Sequence, residues 1–297
     1  MRKWLDRQNF LGVKSDQIFS ETVLGVAGLG GGGSHIILQA AHLGIKNFVI
    51  ADPDIIDETN LNRLVGGTTD DVKRQRSKVD IAERIIRAVQ PDANIIKIKG
   101  YWQEAPEKFK KCDIIVGGLD SIRAKDELDS FSRRYLVPYL DMGMDVHQIS
   151  GEFLISGQVI LSMPGKPCLR CFGIVTDAGL AEEAKAYGAA GGRPQVVWPN
   201  AILASSAIGL LVQLLTPWNK NPPASAYLEY DGNIHSIKTS EKFRVRQNIP
   251  CPHYPLGQVG DVGFDIRGGT CQEKEGVNSR MQLSWLQRII LFLKGRR

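Results

Sequence analysis

Long apolar runs are scarce in this 297-residue chain. The longest apolar run, residues 201–215, is interrupted by Ser205, Ser206, Gly209 and Gln213. It falls short of the roughly 20 residues a membrane span requires, so it reads as a buried helix. Dense charge of one sign is also missing. The formal net charge is +5 and dispersed, which argues against a nucleic-acid partner. The first residues, Met1 to Arg7, are charged and lack the apolar core of a signal peptide, so the expected location is the cytoplasm. Internal repeats and low-complexity tracts are absent. Cysteine is scarce at five residues.

The chain does have core-forming material, 43% hydrophobic residues. Residues 23–27, 48–52, 94–99, 113–117 and 137–141 read as strands separated by helical patterns, the mark of a parallel, doubly wound α/β sheet. From Gln148 the pattern changes: residues 152–161 read as antiparallel strand, and 173–199 as a Gly- and Ala-rich loop. A helix follows over 200–215 with Asn200 as its N-cap, then two strands around a turn at Gly232-Asn233. The expected division is a domain over 1–250 and a Gly-rich tail over 251–297. That tail ends in an amphipathic helix over 282–294.

The densest signal lies between Val23 and Arg63. The first strand runs into Gly28-Leu29-Gly30-Gly31-Gly32-Gly33, a helical segment follows, and the second strand delivers Asp52 at its carboxyl end. This is a nucleotide-binding βαβ unit. Glycines let the backbone turn and approach phosphate, the helix N-terminus supplies N–H groups and partial positive charge, and an acid after the second strand can accept from ribose hydroxyls. A glycine loop alone fits NAD, FAD and ATP equally. The continuation decides: Asn60-Leu61-Asn62-Arg63 offers an amide and a guanidinium fork suited to phosphate oxygens, which a dehydrogenase does not need. Lys78 opens the next helix and can reach the same phosphates. Asp120 ends the fourth strand in Leu119-Asp120-Ser121, where it can hold Mg²⁺ between phosphates and cap the following helix.

In order and spacing, Arg7-Gln8, Gly28 to Gly33, Asp52-x-Asp54, Asn60-x-x-Arg63, Lys78 and Leu119-Asp120-Ser121 resemble the ThiF/MoeB/HesA superfamily. These are adenylyltransferases related to ubiquitin-activating enzymes. The resemblance implies a Rossmann-like fold and ATP-dependent activation of the C-terminal carboxylate of a ubiquitin-like or sulfur-carrier protein. Asp52 would hold the ribose, Asn60, Arg63 and Lys78 the phosphates, and Asp120 the Mg²⁺. Arg7 would reach in from the other protomer of a homodimer. Activating enzymes of this kind that pass the acyl group to a thiol carry a cysteine in the crossover loop, and residues 172–250 contain none. The expectation is therefore adenylation with direct transfer to an amine, a sulfur carrier or a conjugating enzyme's thiol, with a conjugating or sulfur-transfer enzyme downstream. Arg193 and its neighbouring glycines are candidates for shaping the channel of an extended tail.

Other readings stay open at this stage. A peptide or modified-tRNA carboxylate would need the same ATP chemistry. An inactive scaffold would have lost groups that this chain keeps in Arg63, Lys78 and Asp120. Cys168-Leu169-Arg170-Cys171 has the spacing of half a zinc site. The resemblance implies a second cysteine pair, yet the chain offers Cys251-Pro252-His253-Tyr254. Zinc held by Cys168, Cys171, Cys251 and His253 is one reading, Cys271 is an alternative ligand, and a metal-free remnant is the third. The helix over 282–294 could pack on the chain's own core or dimer interface, dock a partner, or lie on a membrane.

Overall fold

Strands β1 (Val23–Ala27), β2 (Asn47–Ala51) and β4 (Ile114–Gly117) are buried along almost their whole length, the condition of strands covered on both faces. In the computed structural model, which describes residues 3–185, 194–254 and 260, they pair in parallel with β3 (Asn94–Ile98) and β5 (Tyr139–Ile149). β6 (Glu152–Ser162), β7 (Ala226–Asp231) and β8 (Ser236–Thr239) extend the sheet antiparallel. The order is β3-β2-β1-β4-β5-β6-β7-β8, so the expected mostly parallel sheet with an antiparallel extension forms.

The described helices are α1 (Ser15–Glu21), α2 (Gly31–Leu43), α3 (Thr69–Lys73), α4 (Lys78–Val89), α5 (Pro106–Phe109), α6 (Ile122–Arg134), α7 (Asp177–Lys185), α8 (Val197–Leu215) and α9 (Glu241–Arg246). Alternation along the strands sends side chains to two cores. Leu24, Val26, Phe48, Ile50 and Val116 pack with Ile36, Ile37, Ile86, Leu203 and Leu211 of α2, α4 and α8. Ala27, Val49 and Ile115 face the other way, toward Trp102, Phe109, Leu128 and Phe172. β1 has β2 on one side and β4 on the other, so the chain reverses its winding there. A crevice opens beyond the carboxyl ends of those strands.

Three expectations need correction. α8 begins at Val197 rather than at Asn200. Pro199 falls in its first turn, where a missing N–H costs nothing. Asn200 therefore lies inside the helix, and its Nδ2 donates to Val196 O at 2.9 Å. Residues 177–185, read as loop, form α7. They include three Ala and two Glu, strong helix formers, and Glu183 accepts from the backbone N–H groups of Ile122 and Arg123 at the start of α6. Ser121, and not Asp120, is the N-cap of α6. The helix expected over 282–294, together with Arg193 and Cys271, lies outside the described residues.

Candidate active site

The glycine loop closes against backbone on both sides. Gly28 has φ +86°, and a Cβ there would stand 2.4 Å from Gly118 O; at Gly33 a Cβ would stand 1.9 Å from Gly28 O. Only glycine permits these approaches, and they seat the start of α2 between the ends of β1 and β4. No side chain caps α2, whose N-cap is Gly30. Its first N–H groups and their partial positive charge are left to the crevice.

Asp52 is locked under this loop. Its Oδ2 accepts from Leu29 N–H at 2.6 Å and its Oδ1 from Asp54 N–H at 2.8 Å. Burial raises its carboxyl above the ordinary range, while the Lys78 charge and the two N–H bonds pull the other way. Each oxygen keeps a further lone pair.

Lys78 stands at the start of α4, where Ser77 caps the helix by accepting from Asp80 N–H. Its Nζ lies 2.6 Å from Asp54 Oδ2. Arg63 Nη1 donates to Thr59 O at 2.7 Å and Asn62 Oδ1 at 3.1 Å. Asn60 is buried; its Nδ2 donates to Asp57 Oδ1 at 3.1 Å, and its Oδ1 is buried without a partner among the described residues. The cap of α6 is Ser121, whose Oγ accepts from Ala124 N–H at 3.1 Å. Asp120 does not cap, because Ser121 stands one residue closer to the helix in the extended N-cap conformation. Its carboxylate remains exposed and accepts from Gln195 Nε2 at 3.3 Å.

Gly30, Gly31, Arg63, Lys78 and Asp120 line one cleft, with Gly32 and Gly118 between them. Gly28, Gly33, Asp52 and Asn60 do not line it, and Asp52 reaches the loop only through Leu29 N–H. The remaining wall comes from Met142, Gly143, Met144, Asn200 and Leu203, with Gln195 beside Asp120. None of these last six was singled out as a site residue from sequence. Asn200 presses on the loop: a Cβ on Gly31 would stand 2.7 Å from its Nδ2, a contact that no local motif encodes. Arg7 is not brought to this cleft within one chain. It is exposed on a 3₁₀ helix over Lys3–Leu11, and its neighbour Gln8 bonds to Leu43 O. Leu43 ends α2 about 20 Å from Gly30, at 1.5 Å per residue.

Residues 6–252 match the model of the ThiF family. The chain belongs to the ThiF family. Among its relatives, the SAMP-activating enzyme E1 of Haloferax volcanii is 28% identical over 63% of this chain and 66% of its own length. The sulfur carrier protein adenylyltransferase of Thermus thermophilus is 25% identical, over 76% and 80%. Other relatives are matched over less: the tRNA threonylcarbamoyladenosine dehydratase of Escherichia coli over 50% of its length. Among solved structures, E. coli MccB with ATP superposes at TM-score 0.65 with 18% identity, covering 84% of this chain and 72% of that one. That likeness speaks to the fold.

A second constellation in this ThiF-family chain lies outside the cleft lining. Cys168, Cys171, Cys251 and His253 converge, with all four ligand atoms within 4.8 Å of one another. Cys171 Sγ is 3.6 Å from both Cys168 Sγ and Cys251 Sγ, and His253 Nδ1 is 3.4 Å and 3.5 Å from the sulfurs of Cys168 and Cys171. Tetrahedral zinc with Zn–S near 2.3 Å and Zn–N near 2.05 Å requires S···S of about 3.8 Å and S···N of about 3.6 Å. The four donors fit that ion. Cys251, taking a hydrogen bond from Cys168, is drawn down to about 4, while the same contact pushes Cys168 up and burial pushes up Cys171. Asp129 and Arg133 hold the loop: Leu169 N–H donates to Asp129 Oδ2, and Arg133 donates to Lys166 O and Pro167 O.

Proposed function

We propose that the chain is an ATP-dependent adenylyltransferase that activates the C-terminal carboxylate of a ubiquitin-like or sulfur-carrier protein. One observation carries the reading: an uncapped helix start, a guanidinium, an ammonium and a lone carboxylate meet in a single cleft. The relatives named as SAMP-activating and sulfur-carrier enzymes support the substrate class.

A carboxylate and a triphosphate repel, so the reaction needs positioning and charge neutralisation above all. The acyl oxygen attacks the α-phosphorus, the bond to pyrophosphate breaks, and the acyl-adenylate forms. The donor is already ionised at neutral pH, so no base is required. Gly30 and Gly31 present backbone N–H groups to phosphate, and Arg63 and Lys78 neutralise it. Asp52, fixed by Leu29 and Asp54, offers its free lone pairs to the ribose. Asp120 would supply a hard oxygen ligand for Mg²⁺, which would neutralise phosphate charge there. Arg7 serves the partner's site in a homodimer. Because residues 172–250 carry no cysteine, the adenylate passes directly to an external nucleophile on a conjugating or sulfur-transfer enzyme. Cys168, Cys171, Cys251 and His253 would hold a zinc ion that ties the chain after α9 to the loop after β6.

The test is ATP–pyrophosphate exchange with a panel of small proteins and peptides ending in Gly-Gly. Exchange dependent on one of them supports the reading and names the substrate. ATP binding without exchange on any, or exchange with a peptide of unrelated terminus, would shift the acyl donor. Absence of ATP binding would end the reading.

A further inference from the structure

Gln195 stands where the two halves of the nucleotide site approach each other. Its backbone carbonyl accepts from Asn62 Nδ2 at 2.8 Å, and its side-chain Nε2 donates to Asp120 Oδ1 at 3.3 Å. Asn62 Oδ1 accepts in turn from Arg63 Nη1 at 3.1 Å, and the same nitrogen donates to Thr59 O at 2.7 Å. One hydrogen-bonded chain therefore runs from Thr59 through Arg63, Asn62 and Gln195 to Asp120. It joins the guanidinium suited to phosphate with the carboxylate suited to the metal. Among the described residues, Gln195 is the only hydrogen-bond partner of the Asp120 carboxylate.

An exposed carboxylate with no partner rotates freely and loses entropy when a cation fixes it. A donor on one oxygen sets the plane of the group and leaves the other oxygen for the ion. An amide suits this place, because it is neutral and does not repel a divalent cation as an ammonium would. The backbone arm works independently of the side chain: Asn62 is shared between Arg63 and the Gln195 carbonyl, so it also steadies the phosphate-binding arm.

We infer that Gln195 is a positioning residue for the nucleotide site, holding Asp120 toward Mg²⁺ and, through Asn62, tying it to Arg63. This rests on the adenylation reading above. The two arms have separable signatures. Loss of the side-chain donor affects only the metal-dependent part of ATP binding. Loss of Asn62 loosens Arg63 and weakens ATP with or without metal.

The experiment is equilibrium binding of a fluorescent ATP analogue, with Mg²⁺ and with EDTA, to wild type, Gln195→Ala, Gln195→Met and Asn62→Ala. Thermal melting checks the fold of each. Met keeps the length of Gln without its donor, so it separates packing from hydrogen bonding. In both Gln195 variants the gain in affinity on adding Mg²⁺ falls about five- to tenfold, the EDTA affinity stays within about twofold, and the Mg²⁺ concentration for half-saturation rises. Asn62→Ala loses affinity in both conditions. An unchanged or larger Mg²⁺ response in Gln195→Ala, an equal loss with and without metal, or wild-type behaviour in Gln195→Met overturns the inference. If wild type binds no ATP in either condition, the adenylation reading fails first and the inference falls with it.

Discussion

Replacing Gly33 by Ala sets two effects of opposite sign against each other. Gly33 lies in the first turn of α2, and on helix propensity alone Ala gains about 1 kcal/mol there. The added Cβ would stand 1.9 Å from Gly28 O, far inside van der Waals contact, and a backbone carbonyl cannot rotate out of the way. Gly28 is itself held by its φ of +86° and by donating to Ala51 O at 2.9 Å. The start of α2 must therefore shift by more than an ångström from the end of β1. Overpacking of this kind costs about 1–3 kcal/mol, and a backbone clash belongs at the upper end. The expected net loss is about 1–2 kcal/mol, read from the urea midpoint at constant slope, together with loss of ATP binding. Gly30→Ala is the control. Nothing lies within 4 Å of its would-be Cβ, so stability stays within about 0.5 kcal/mol, while the methyl projects toward the cleft and weakens nucleotide binding. A Gly33→Ala protein as stable as wild type, or more so, would refute the steric argument and leave propensity in command.

Asp120→Ala should abolish Mg²⁺-dependent pyrophosphate exchange with an unchanged melting curve, since Ser121 and not Asp120 caps α6; near-normal exchange would remove the metal assignment. Cys171→Ser should release zinc measured by atomic absorption and lower the melting temperature, and a chelator should do the same to wild type; protein that is purified without zinc and ignores chelators would point to a metal-free cluster. Asp71, buried and bonded by Arg84 at 2.6 Å, has its carboxyl held well below the usual range by that guanidinium. A depressed folded value stabilises above the unfolded pKa of about 3.9 and is lost as pH falls below it. Asp71→Asn should therefore cost about 2 kcal/mol at neutral pH, discounted for the half-exposed Arg84, and flatten the acid limb of the stability–pH curve; an unaltered limb counts against it.

Most of the sheet was legible because its signals are local. Apolar runs marked the strands, and Lys78 was expected at the start of a helix, as it is in α4. The glycine loop followed by Asp52 marked the crevice, and Arg63, Lys78 and Asp120 do line it. What was missed depends on tertiary contact. Asn200 reads as a helix cap by residue type, yet it sits inside α8 because Pro199 tolerates the first turn, and its side chain meets Gly31 from 169 positions away in the numbering. Gln195 has no motif at all. His253 was uncertain as a ligand because spacing alone could not choose it over Cys271; its Nδ1, 3.4 Å from Cys168 Sγ, is what places it in the cluster.

The same limit applies to α6, whose charge pattern does not reveal what its polar face meets. Its charges Lys125, Asp129 and Arg133 recur every fourth residue, the pattern of an exposed ion-paired face, yet all three are buried. Lys125 Nζ donates to Asp141 Oδ1 at 2.7 Å and to Met142 O at 3.0 Å, bracing the strand whose Met142 and Gly143 line the cleft. Asp129 and Arg133 instead bind each other, Ser162 and the loop that carries Cys168. Buried charges are tolerated when they are paired: Lys125 pairs with Asp141 on β5, while Asp129 and Arg133 pair along α6 and bond outward to Ser162 on β6 and the loop after it. A polar stripe that would be unremarkable on a surface thus fixes both constellations to one helix, with Asp120 just before its first turn and the cysteine loop bound near its last. Sequence periodicity reports the stripe, but only the fold decides which side of the helix it faces.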